Sequence, residues 1–349
     1  MIYDLVIVGG GPAGAMFASL LDESKSVLLI AGDGKEKTCG GLLSPDAQML
    51  LARLGRTLPK SVLVDPQIFS VRTIDLQTGH ERTYGRHYLN MSRLAFDQWM
   101  LSFVPPHVKI MRGTVHSITS HPSGFELKGR ENGENVVVQA RQLIGADGAG
   151  SLVRRTFFPP LETQEMVAFQ QWFPAEKENL PPLYTALFDD ETSPACSWTI
   201  QKEVFVLFGG IFPQENAKTR YEKQKEKLRT FGFHLQDPVK SEGCKVLWPR
   251  SKRSFQCGSQ NIFLIGEAAG FISPSSFEGI SYAIESALCL HQALASSQPL
   301  ETYRRLTKKM RSRLLSKLIK AGVMYTPLLR SLALKSGLTS MTLQEEKDQ

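Results

Sequence analysis

One stretch near the start of the chain narrows the fold more than any other. The apolar run 2–8 leads at once into Gly9-x-Gly11-x-x-Gly14, then an apolar-periodic segment (Ala15, Phe17, Ala18, Leu20, Leu21), then a second apolar run at 26–30. This is a strand–turn–helix–strand unit, the context that makes the glycine pattern specific for a dinucleotide site in a doubly wound α/β sheet. Gly9 permits the tight turn, Gly11 lets backbone approach a pyrophosphate, and Gly14 lets helix pack on strand. Pro12 and Ala13 open the helix, whose N–H groups then face the phosphates. The acid expected to hold the ribose is absent: Ala31 occupies its place. Either Asp33 takes over after a shifted turn, or backbone and water hold the ribose.

Three later motifs narrow the nucleotide to FAD. Ser92 is a candidate cap for a helix in which Arg93 stands in the first turn, where the helix dipole disfavours a cation. A partner is therefore expected for Arg93, and an anionic pyrophosphate suits it, the alternative being an exposed arginine. Two more apolar runs end in a glycine and an acid, the first at Asp147-Gly148 and the second at Gly266-Glu267. Both belong at the carboxyl edge of a parallel sheet, where open α/β folds bind ligands. Glu267 is placed to accept from a ribityl hydroxyl, and a helix starting at Gly279-Ile280 to aim N–H groups at the flavin pyrimidine.

Composition excludes several classes. The 349 residues are 42% hydrophobic and 21% charged, as in a soluble globular protein, and no run is long enough to cross a bilayer. The first apolar run is too short for a signal-peptide core, so a cytoplasmic location is expected. Five scattered cysteines without a C-x-x-C pair support neither zinc nor a disulfide framework, and no metal is expected. Net charge is +7, and residues 301–335 carry ten Lys/Arg against one acid. Leu306, Met310, Leu314, Leu318 and Ile319 recur there at helical spacing. Such a basic amphipathic segment either docks on an anionic membrane surface, making the protein peripheral on the inner membrane face, or packs its stripe on the FAD domain. No nucleic-acid recognition motif accompanies the charge, so nucleic acid is not an expected partner.

The motif order resembles the glutathione-reductase-type FAD proteins of the para-hydroxybenzoate hydroxylase fold. Within them the chain is most similar to the geranylgeranyl reductase family, through Cys39-Gly40-Gly41 after the second strand and Gly266-Glu-Ala-Ala-Gly270 near the end. The stretches "DPQIFSVRTIDL", "FQQWFPAE" and "LIGEAAGFISPSSFEGISYAIESA" resemble the bacterial flavoprotein group named for colicin M resistance. The resemblance runs nearly end to end. It implies that Gly9, Gly11, Gly14, Arg93, Asp147, Gly148, Glu267 and Gly279 contact FAD. Glu267 departs from the family's usual Asp.

The expected fold is α/β: a Rossmann-like FAD-binding domain (1–60, 90–155 and 255–298), a β-sheet substrate domain (61–89 and 156–254) and a basic helical segment (299–349). The expected activity is reduction of C=C bonds in an isoprenoid or similar apolar small molecule, with hydride from flavin N5. Gly270 supports this, since hydroxylases of the fold usually carry His there. A flavin monooxygenase and a non-catalytic electron-transfer flavoprotein are the alternatives. With no second glycine motif, electrons would come from transiently docked NAD(P)H or a small carrier. Trp172, Trp198 and Phe277 are candidates for the substrate pocket, although Trp172 and Trp198, like Phe169 and Phe173, equally suit a sheet core. Cys39, Gly40 and Gly41 are expected on the flavin face, where the glycines would let backbone approach the ring or substrate. Cys39 is also a candidate proton donor, with Lys37 the cation that could activate it.

Overall fold

The structure, a computed structural model, describes residues 2–32, 34, 37–174 and 183–336. Its first sheet grows from the apolar strand Ile2–Val8, which is buried from Leu5 onward. Parallel neighbours flank it, with Leu5 opposite Val27 of Val27–Ala31 and Val8 opposite Gly145 of Glu134–Gly145. Lys109–His121 joins outside Val27–Ala31, and Ile262–Leu264 joins outside Glu134–Gly145. The two long strands overshoot the parallel sheet and pair with Gly124–Glu131 as an antiparallel meander. All the parallel strands end at one edge, and the glycine motifs follow there. Helices Pro12–Ala18, Arg93–Leu101 and Ile280–Leu294 pack on this sheet around Phe17, Phe96 and Ile284.

The second sheet has eight strands in the order Lys240–Pro249, Thr163–Pro174, Phe205–Pro213, Cys196–Lys202, Tyr184–Phe188, Ile68–Asp75, Glu81–Asn90, Leu42–Leu43. It is antiparallel except where Tyr184–Phe188 meets Ile68–Asp75. Alternation gives it two faces. Phe169, Phe173, Phe208 and Phe212 pack under helix Ala217–Leu228, whose Tyr221 stacks on Phe208 at 4.7 Å. The other face turns toward the FAD domain. Phe169 and Phe173 are therefore core beneath that helix, as one of the two expectations had it.

Three helices end the described chain: Pro299–Leu306, Lys308–Met324 and Pro327–Ser336. Tyr303 is buried and donates to the Leu264 carbonyl at 2.9 Å. Met310 and Leu314 of the expected stripe pack into the FAD-domain core, but Ile319 is 74% exposed. The last helix is clamped by Arg330, whose Nε donates to Asp75 Oδ2 at 2.7 Å and whose Nη2 lies 3.0 Å from Asp190. Among the described residues, no helix is long and apolar enough to cross a membrane.

Candidate active site

The glycine turn is built by backbone contacts. Gly9 has φ +110, and a Cβ there would stand 2.3 Å from the Ala146 carbonyl oxygen. A Cβ on Gly14 would lie 1.9 Å from the Gly9 carbonyl oxygen, so helix and strand meet as closely as backbone allows. At Gly11 the surroundings differ: among the described residues no heavy atom comes within 4 Å of the same position. The middle glycine therefore faces open space, as a phosphate cradle requires. Gly266 packs beside this turn, its added Cβ 2.9 Å from Ala13 Cβ, and it donates its N–H to Ser286 Oγ at 2.9 Å. Gly279 is the N-cap residue and Ile280 the first residue of the fifteen-residue helix Ile280–Leu294, which has no side-chain cap. Asp33 lies outside the described residues.

Asp147 ends the central strand's loop next to Gly9. Its Oδ2 accepts from the Leu152 N–H at 2.6 Å and the Val153 N–H at 3.3 Å, capping helix Leu152–Phe157. Its Oδ1 is buried without a hydrogen-bond partner among the described residues. Burial pushes this carboxyl above the ordinary carboxylate range, against the pull of Ser151 and these N–H groups. Arg154, which the sequence did not mark, donates to the carbonyls of Ala268 (2.8 Å) and Ala149 (2.5 Å). It ties the loop after Asp147-Gly148 to the turn at Glu267.

Glu267, expected to face a ribityl hydroxyl, accepts at Oε2 from Lys37 at 3.1 Å and at Oε1 from the Leu247 N–H at 3.0 Å. Its carboxylate raises the Lys37 pKa, and burial opposes that rise. Lys37 Nζ also stands 3.7 Å from the position of a Gly148 Cβ, so this side chain spans the two acidic loops.

The cation beside Cys39 is thus Arg93 rather than Lys37. Arg93 is buried, donates to Asp97 Oδ1 at 2.8 Å one turn on, and reaches the Cys39 thiol. Its partner within the chain is that carboxylate. Cys39 Sγ accepts from the Gly41 N–H at 3.4 Å, while its carbonyl accepts from Gln170 Nε2 at 3.2 Å. Cys39, Gly41, Met91, Arg93, Trp172 and Lys202 are among the residues lining a cavity of about 220 Å3.

Gly40 and Gly41 are explained by the protein's own packing. A Cβ on Gly40 would meet Ile200 Cδ1 at 2.9 Å, with Trp198 Nε1 at 3.8 Å. Gly41 has φ +63, and its Cβ would stand 2.4 Å from the Met91 carbonyl oxygen and 2.6 Å from Lys202 Nζ. Lys202 is a buried ammonium that donates to Asn90 Oδ1 (2.6 Å), the Met91 carbonyl (3.0 Å) and the Gly41 carbonyl (3.3 Å). It pins the glycine segment to the eight-stranded sheet, and sequence reading missed it. Glu203, next in the chain, turns it with φ +54.

The three pocket candidates lie at different points of the sheet's FAD-facing side. Trp172 borders the cavity and donates to Glu242 Oε2 at 2.9 Å. Trp198 packs over Gly209 beside Gly40, and its Nε1 has no hydrogen-bond partner among the described residues. Phe277 has φ +53, unusual for an aromatic residue, and this turn sets its ring 5.7 Å from that of Trp248. Tyr325, from the end of helix Lys308–Met324, roofs the same surface. Its ring is 5.6 Å from Trp248, and its hydroxyl donates to the Ser275 carbonyl at 2.9 Å.

Residues 109–308 match the family described as FAD binding domain, and residues 4–172 match lycopene cyclase protein. Protein CbrA of Escherichia coli O6:H1 (strain CFT073) is 42% identical over 344 residues, covering 96% of this chain and 93% of its own. A geranylgeranyl bacteriochlorophyll reductase-like protein from Thermoplasma acidophilum shares the fold with a TM-score of 0.76 at 18% identity, covering 95% of this chain and 90% of that one. PqsL of Pseudomonas aeruginosa, described as a probable FAD-dependent monooxygenase, shares it with a TM-score of 0.71 at 16% identity, covering 96% and 99%. The open cradle at Gly11 and the orphaned Asp147 oxygen agree with a nucleotide held at this edge. The chain belongs to the family of FAD-binding flavoproteins that includes Protein CbrA.

Proposed function

We propose that this flavoprotein is a reductase that saturates C=C bonds of an isoprenoid or similarly apolar compound. Bound FAD supplies hydride from N5 of its ring. The turn from Gly9 to Gly14 would hold the pyrophosphate on its Gly11 side, and Asp147 Oδ1 would accept from a cofactor hydroxyl. The N–H groups at Gly279 and Ile280 would face the pyrimidine edge.

The observation that carries this reading is the aromatic cluster of Trp198, Trp248, Phe277 and Tyr325, whose Trp198 lies beside Gly40. Such a wall binds hydrocarbon and keeps water from the hydride donor. Cys39, at the cavity edge beside Arg93, is the candidate to give the proton that completes the addition. NAD(P)H or a small electron carrier would provide the two electrons.

The test is an anaerobic incubation of reduced holoprotein with prenyl lipids. Flavin reoxidation and a product heavier by two hydrogens support reduction. A product heavier by one oxygen, formed only in air, would replace it with monooxygenation.

The same reading gives the C-terminal helices a membrane role. Ile319, Leu328 and Leu332 are 74%, 79% and 64% exposed amid a run of Lys and Arg. Each cation near an anionic surface contributes about 1 kcal/mol. Cosedimentation with phosphatidylglycerol vesicles, lost in Leu328→Asp with Leu332→Asp, is the expected result. Equal sedimentation with neutral vesicles would contradict it.

A further inference from the structure

Three side chains of the eight-stranded sheet hold residues 38–41 where they cross it. The Cys244 thiol, on strand Lys240–Pro249, donates to the Thr38 carbonyl at 3.6 Å. Gln170 of the next strand donates to the Cys39 carbonyl at 3.2 Å, and Lys202 to the Gly41 carbonyl at 3.3 Å. Alternation puts Cys244 on the same side of its strand as Glu242, which accepts from Gln170 at 2.7 Å and from Trp172 at 2.9 Å. Cys244 also packs into the cluster that contains Trp198, Trp248 and Phe277. A second thiol therefore stands beside the peptide that leads into Cys39, and the proposed reduction gives it no part.

The trans peptide places the Thr38 oxygen about 3 Å from Cys39 Cα, so the Cys244 sulfur lies no more than about 6.5 Å from that atom. Closing a disulfide needs the Cys39 thiol to turn from the Gly41 N–H, from which it now accepts at 3.4 Å. It also needs a shift of about an ångström or two in a segment softened by two glycines. Both cysteines are half-buried, whereas Cys196 and Cys257 are buried and Cys289 lies on helix Ile280–Leu294. Cys39 borders the 220 Å3 cavity, which is roomy enough for a small oxidant, and the buried Arg93 reaches its thiol. Burial pushes the Cys244 thiol up, and Cys39 is among the groups whose charge acts on it.

We propose that Cys39 and Cys244 form a peroxide-oxidisable dithiol pair whose disulfide fastens residues 38–41 to the sheet. The Cys39 thiolate attacks one oxygen of hydrogen peroxide, the O–O bond breaks, and with one proton the products are a sulfenic acid and water. The Cys244 thiol then attacks the sulfenic sulfur, forming the S–S bond and releasing a second water. The two thiols lose two electrons and two protons, and the peroxide is reduced to two waters. The pair stands without the reductase reading. Only its effect on turnover rests on that reading, because oxidation removes the candidate proton donor.

Peroxide treatment of oxidised holoprotein, followed by alkylation and peptide mapping by mass spectrometry, tests the pair. Cys39 and Cys244 should lose alkylation together, a linked peptide lighter by two hydrogens should appear, and dithiothreitol should restore both thiols. Cys244→Ser should leave Cys39 as a sulfenic acid trapped by dimedone, which passes on to a sulfinic acid that dithiothreitol does not reverse. Cys39→Ser should slow the oxidation of Cys244 at least tenfold, and Cys289→Ser should change nothing. Sulfinic acid at Cys39 of the unsubstituted protein with Cys244 still reduced overturns the pair. So does a link from either cysteine to another cysteine or to a second chain, and so do two thiols left intact by excess peroxide. Where a prenyl lipid is reduced, peroxide should stop turnover reversibly in the unsubstituted protein and irreversibly in Cys244→Ser. Where none is reduced, the peptide map still decides the pair, and a failed pair leaves the reduction standing.

Discussion

In the FAD domain the site is made by backbone meeting backbone, while around the eight-stranded sheet it is made by long side chains. A Cβ added at Gly9 or Gly14 would come within 2.3 Å of a carbonyl oxygen. Around the sheet the equivalent work falls to Lys202 and Gln170 of its strands and to Arg330 of the last helix, each buried and each bonded to residues far away in sequence. The first kind of contact tolerates no added atom. The second tolerates shape changes but leaves a buried charge or an unpaired carbonyl when one partner is lost.

Substitutions on the two sides should therefore fail differently. Gly14→Val forces a Cβ into the Gly9 carbonyl and is expected to cost more than about 4 kcal/mol, abolishing folding in denaturant titrations. Gly11→Ala should leave apoprotein stability within about 0.5 kcal/mol while weakening FAD binding, because only a ligand occupies that space. An apoprotein that unfolds on Gly11→Ala would break the distinction. Arg330→Met strands Asp75 in the core and should cost about 3–5 kcal/mol. Adding Asp75→Asn should recover part of that loss if the pair acts as described. Lys202→Met leaves the Gly41 and Met91 carbonyls short of a donor, costing about 1–3 kcal/mol, with a shifted flavin absorbance as the readout that Gly41 has moved.

The two buried aspartates sharpen the same contrast at smaller scale. Burial raises Asp147, so the native state holds its proton longer than the unfolded chain. Stability should then fall as pH rises from the ordinary carboxylate range through the raised value. Burial also acts on Asp75, but Arg330 and backbone N–H groups outweigh it and lower the pKa. Its contribution is present above the ordinary range and is lost as pH falls through the lowered value. Asp147→Asn and Asp75→Asn should each remove one of these slopes from stability measured against pH. A slope that survives its own substitution would reverse the assignment. The smallest effect is expected for Cys39→Ser, which should leave stability within about 0.5 kcal/mol. Turnover that is also unchanged would remove Cys39 as proton donor.

What could be read in the sequence follows the same division. Helix starts at Ser44, Ser92 and Ser151 are local, and each hydroxyl accepts from an N–H three residues on. The glycine turn and helix Ile280–Leu294 were legible for the same reason: period and turn chemistry are written within a few residues. The Lys37–Glu267 pair joins residues 230 positions apart, and no local pattern announces it. Arg330 sits in a basic helical run and looks solvated until the fold brings Asp75 against it. Cys39-Gly40-Gly41 stood out in the sequence, but the two glycines answer to Ile200, Met91 and Lys202 of the protein itself.

In the proposed reduction, hydride from this flavoprotein reaches a carbon–carbon double bond at the aromatic face. Anaerobic stopped-flow of the reduced holoprotein with a prenyl phosphate measures it directly. Flavin reoxidation should depend on the prenyl compound, with a product heavier by two hydrogens. Flavin that stays reduced until air is admitted, with oxygen then found in the product, would contradict it.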